Sequence, residues 1–152
     1  MDFLVDSEHC PPAFLINEAI HNQDLTLACL QVMKIGLQFN ICQLETSHVF
    51  NDDVPDLALC IQKDIPTHLS YSCCFWADHL HHLAFEPEIS NAVQNLMHTQ
   101  LLYWLEVLSL IKKLNIALQA LLFTANWGRV RLYLNFLFFE STTIMIICLL
   151  GA

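Results

Sequence analysis

Glycine and positive charge are both scarce in this chain, with 3 glycines and 6 basic residues among 152. The glycines, Gly36, Gly128 and Gly151, lie far apart, and neither Asn-Gly nor Asp-Gly occurs. Tight hairpins depend on such turn residues, so their absence argues against a sheet. A phosphate-cradling loop needs G-x-x-x-x-G-K-[ST], and three isolated glycines cannot supply it. ATP or GTP binding by that route is excluded. Against the 6 basic residues stand 15 acidic ones, a net charge of −9. A nucleic-acid surface works by releasing counterions from phosphates to Lys and Arg, and this chain has no basic stretch to do so. No nucleic acid is expected as a partner.

Other absences concern cysteine and targeting. Seven cysteines occur, an odd number, and no two are spaced C-x-x-C. Most sit inside apolar helical patterns, and the adjacent Cys73 and Cys74 point to different faces of a helix. Free buried thiols of a cytoplasmic protein are the expectation. Asp2, Asp6 and Glu8 stand where a signal peptide would be basic and then apolar.

What remains is apolar: 55% of residues are hydrophobic and only 14% charged. The periodicity predicts an all-α fold, an irregular helical bundle with an apolar C-terminal helix. One helix is expected from the Pro11–Pro12 pair to about His21, and a second from Asp24 to about Phe39. In the second, Leu25, Ala28, Cys29, Val32, Met33 and Leu37 share a stripe. Residues 40–54 read as a loop, followed by a short helix near 55–63. From Pro66–Thr67 a further helix carries Leu69, Cys73, Trp76, Leu80 and Leu83 in steps of four and three, one continuous seam. Ser72, Asp78, His79 and His82 are expected on its solvated side. Pro87 opens a new helical run to Trp127, broken once near 110–113. Within 101–110 the polar residues Tyr103, Glu106 and Ser109 form a narrow line spaced by three.

Chemistry-bearing constellations are thin. His79, His81 and His82 cluster, with His68 and His98 not far off, but no H-E-x-x-H frame sets two histidines four apart. Surface or interface histidines explain them, and no metal is expected. Asp52, Asp53 and Asp56 lack the glycine and terminal glutamate of a calcium loop and suit a helix entry. No nucleophile stands beside an identifiable base, so no enzyme activity is expected and no cofactor. The aromatic-rich seams nominate Tyr71, Trp76, Leu80, Leu102, Tyr103, Trp104, Leu105 and Leu108 as packing or interaction residues. Helically spaced aromatics are more often core than interface.

Four stretches in order, GLQFNICQLETS at 36–47, DDVPDL at 52–57, LSYSCCFWADHL at 69–80 and LLYWLEVLSL at 101–110, resemble one family. They look like the helical region behind the NACHT NTPase core of mushroom-type fungal NOD-like receptors. The resemblance covers roughly residues 1–127 and implies a winged-helix-like helical arm, a non-catalytic connector of a signalling receptor. None of the family's nucleotide-binding residues has a counterpart here. Its implied partner is another protein, such as an intact receptor of that family. Past Trp127 the resemblance lapses, which implies a truncated form, and residues 128–152 form a separate apolar tail. Residues 132–152 number 21, close to the roughly 20 of a spanning helix, with Asn135 and Glu140 opposing. A tail-anchored membrane protein with an acidic cytosolic domain is therefore the alternative.

Overall fold

The computed structural model describes residues 18–45 and 50–128. The expected helix start at Pro11–Pro12 and the apolar tail at 132–152 lie outside them. The described residues form an irregular bundle of helices, without a strand among them.

Helix α1 spans Glu18–Gly36, with Glu18 in its first turn and Lys34 in its last, the charges that suit the two ends of the helix dipole. It corrects the expected division at 21–24. Asp24 lies in the interior of α1 and caps nothing. Continuing an existing helix through His21-Asn22-Gln23 avoids the cost of a second nucleation, and no proline or glycine stops it. The stripe is also rotated. Thr26, Cys29, Leu30, Met33 and Leu37 are buried, whereas Leu25 and Ala28 are exposed. Thr26 is tolerated inside because its hydroxyl donates to the Asn22 carbonyl at 2.7 Å. Gly36 ends the helix where a Cβ would stand 3.1 Å from Leu69 Cδ1, so its bareness lets α1 approach the next long helix closely.

A 3₁₀ turn at Asn51–Asp53 leads to α2, Leu57–Asp64, and then to α3, Thr67–His81. Pro66 holds an extended conformation before α3 and its carbonyl accepts from the Leu69 and Ser70 amides. α3 is the central element, packed against α1, α5 and α6. Leu69, Cys73, Trp76 and Leu80 are buried as the seam predicts. Ser72 departs from its expected solvated side: it is buried and donates to the His68 carbonyl at 2.8 Å.

α4 covers Pro87–Asn95, with proline in the first turn, where its missing N–H costs no helical bond. A π-helical turn, Leu96–Gln100, joins it to α5, Leu101–Leu110, and α6 follows at Asn115–Gly128. The break between α5 and α6 falls where the sequence placed it. Lys112 turns left-handed at φ 57°. The Lys113 amide reaches back to Leu108 O and the Lys112 amide to Ser109 O, the paired bonds of a Schellman ending.

The core gathers where α3 meets α5. Trp76 and Trp104 are both fully buried and meet edge to face, with centroids 5.9 Å apart. The Trp104 indole donates to Cys73 O at 2.9 Å. Further along, Trp127 stacks on Phe85 and donates to Leu83 O.

Candidate interaction surface

The narrow polar line of α5 is longer than its sequence pattern suggested, and each member holds a different part of the chain between α1 and α2. Gln100 closes the π turn, and its amide nitrogen lies 3.1 Å from Lys34 O and 3.4 Å from Leu37 O. Those carbonyls belong to the end of α1, where no further helical amide can reach them. Tyr103 meets Phe39 edge-on at 6.5 Å. Glu106 takes two backbone amides in one carboxylate, Asn40 N–H at 3.1 Å and Ile41 N–H at 3.0 Å. Ser109 accepts from the Asn51 side chain at 3.1 Å, and Lys112 pairs with Asp52.

The five residues are spaced by three, and their partners follow in the same order along the chain. Three helical residues turn about 300°, so the line slants around α5 and the connecting segment crosses the helix obliquely. The segment also ties itself. Asn40, at φ 49°, donates from its side chain to Leu44 O and accepts from Leu44 N. Asparagine tolerates this left-handed conformation better than most residues because its side chain bonds locally.

These contacts clasp the connection between α1 and α2 at residues 37–41 and 51–52 and leave apolar side chains in solvent. Phe50 is 83% exposed, Ile35 and Phe39 77% each, Leu102 68% and Leu59 64%. These are the five most exposed large hydrophobic residues among those described. All five lie on α1's last turn, the clasped segment, α2, or the start of α5. Exposed apolar side chains of this size mark interaction sites when they share one surface.

The nominated seam residues divide accordingly. Trp76, Leu80, Trp104 and Leu108 are fully buried within the bundle, so they hold this chain together and are not free to dock. Tyr103 and Leu105 are partly buried against the core. Only Tyr71 and Leu102 remain exposed. Sequence reasoning missed Ile35, Phe39, Phe50 and Leu59. A phenylalanine inside a mostly polar stretch was the available signal for Phe50.

Histidines and cysteines take separate places. His81 stacks on Phe123 at 4.3 Å, while His79 reaches Asn22 and Tyr71. Among the described residues no three His, Cys, Asp or Glu side chains are grouped to hold a metal. Burial, with weaker contributions from Cys74 and Cys29, pushes the Cys73 thiol up to about 12. Cys42 rises to about 11, through burial first and then Asp64, Cys60 and Glu106. Thiols raised this far carry almost no thiolate at neutral pH and are poor nucleophiles. No helix among the described residues is long and apolar enough to cross a membrane. No protein-family model, curated protein or solved structure matches the chain.

Proposed function

We propose that the chain is a non-catalytic helical packing unit of the kind that lies behind the NTPase core of fungal NACHT-type receptors. In this reading it docks against the NTPase module of an intact receptor through the face around the clasped segment. One observation supports the docking surface: the five most exposed large apolar side chains among the described residues lie on the last turn of α1, the connection to α2, α2 itself and the start of α5, and the backbone of that connection is held by Gln100, Tyr103, Glu106, Ser109 and Lys112. Preorganised aromatic anchors bind well because little ordering remains to be done on contact. The order of the four sequence stretches supports the family assignment.

The test pairs the full chain with a purified fungal NACHT-type receptor. Binding by the wild type, weakened about tenfold or more in a Phe39→Ser/Phe50→Ser double variant of unchanged helicity, is the expected result, because two aromatic anchors commonly contribute over 1 kcal/mol each. A folded monomer with no affinity for the receptor would overturn the proposal.

The alternative, a tail-anchored protein, is favoured by one feature, the 21-residue apolar run at 132–152 behind Arg129 and Arg131. Membrane association that survives carbonate extraction would establish it, and full release into the soluble fraction would end it.

A further inference from the structure

Away from the clasped segment, one polar chain links α1 to α3 across their interface. His79, in the last turns of α3, places Nδ1 3.2 Å from Asn22 Oδ1 on α1. Its Nε2 lies 3.0 Å from the Tyr71 hydroxyl, two turns back on α3. The Tyr71 ring tilts against both His79 and Phe75, with centroids at 6.1 and 4.9 Å. Tyr71 is 43% exposed, so its hydroxyl is held by the imidazole at the edge of solvent.

The placement of the Asn22 amide sets the proton inventory. With its oxygen toward the ring, as here, Nδ1 carries hydrogen and donates to Asn22. In the neutral ring Nε2 is then bare and accepts from the Tyr71 O–H. When the ring takes a proton from solvent, that proton sits on Nε2 and donates to the tyrosine oxygen. The Tyr71 hydroxyl hydrogen must then turn outward. Neither bond is lost; one reverses.

We propose that the Asn22–His79–Tyr71 chain is a proton-operated switch that holds the Tyr71 hydroxyl hydrogen inward when His79 is neutral and offers it to solvent when His79 is charged. The groups around the ring set its operating range. Burial lowers the His79 pKa most, Asp78 raises it and His82 lowers it. From α1 the facing side chain is Asn22, which does not titrate, and the titratable Glu18, His21 and Asp24 around it are exposed. On α3, His81 is drawn away by its stack on Phe123 of α6.

Ring-nitrogen NMR of the full chain between pH 4.5 and 8 tests the switch. Neutral His79 should show the Nδ1–H tautomer, the less common one in free imidazole side chains. The Tyr71 ring resonances should move with the same midpoint as His79. In Asn22→Ala the tautomer preference should be lost. In Tyr71→Phe it should persist, because Asn22 sets it, and this surface variant is expected to keep the wild-type helicity. A neutral Nε2–H tautomer in the wild type, or Tyr71 resonances that stay flat while His79 titrates, would overturn the proposal.

Discussion

The two sides of α5 hold the molecule by different physics. One side, Leu101, Trp104, Val107 and Leu108, is buried against the other helices. The other, Tyr103, Glu106 and Ser109, continued by Gln100 and Lys112, ties the α1–α2 connection by hydrogen bonds, a ring contact and an ion pair. The apolar side works mainly through buried volume and close packing, with one directional bond, from the Trp104 indole to Cys73 O. The polar side is directional: each group matches one backbone or side-chain partner. The first therefore determines whether the chain folds, and the second determines where one particular segment lies once it has. Losses on the two sides should differ in size and also in reach.

Trp104→Ala probes the apolar side and should have the largest effect. It empties a fully buried site, removes the edge contact with Trp76 and abolishes the bond to Cys73 O. Truncations of this kind cost about 3–5 kcal/mol, enough to unfold a marginal domain. Chemical denaturation should show a lower midpoint, with amide protection falling throughout the bundle. Glu106→Ala probes the polar side. Two partly buried amides, Asn40 and Ile41, lose a charged acceptor, a loss of about 1–3 kcal/mol. Hydrogen exchange should quicken at 38–44 and hardly change in α3 and α6. Equal loss of protection everywhere in Glu106→Ala would erase the distinction between the two sides.

Sequence periodicity carried the apolar side well and the polar side poorly. The steps of four and three from Leu69 to Leu80 identified buried residues because burial is what that spacing serves. The same spacing could not say whether the seam faces its own bundle or a partner, and Trp76 and Trp104 proved to face each other. The line Tyr103–Glu106–Ser109 was legible as a pattern, but its meaning depends on a segment some 60 residues earlier in the chain. Nothing local to Glu106 names Asn40 as its partner. The rotation of the α1 stripe was hidden for a related reason. Thr26 counts as polar by composition, and only its bond to Asn22 O makes it fit to be buried. The π turn left no mark in the residues at 96–100.

A smaller effect is expected from acid. The His79 pKa lies below the ordinary 6.5, chiefly through burial. The unfolded chain thus binds the proton more readily than the folded one as pH falls below 6.5. Stability should be at its full value above that pH and decline as pH drops toward the lowered folded value. His79→Gln should flatten this part of the stability profile without altering the protection of residues 38–44. A profile unchanged by His79→Gln would assign the acid response to other groups.

The smallest effect should come from the last rung, and its sign is informative. Lys112 pairs with Asp52, but both side chains are largely exposed, so the pair is worth about 0–1 kcal/mol and salt screens it. The same residue occupies the left-handed position of the Schellman ending at φ 57°, a conformation that costs a residue with a Cβ about 1 kcal/mol or more. Lys112→Ala removes the pair and keeps the backbone cost, so it should be slightly destabilising. Lys112→Gly removes both. It also adds freedom to the unfolded chain, which offsets about 0.5–1 kcal/mol of the gain. Glycine should therefore lie near lysine in thermal stability, with alanine lowest. If alanine matched glycine and both fell below lysine, the ion pair would outweigh the backbone, and the outer end of the polar line would be held by charge after all.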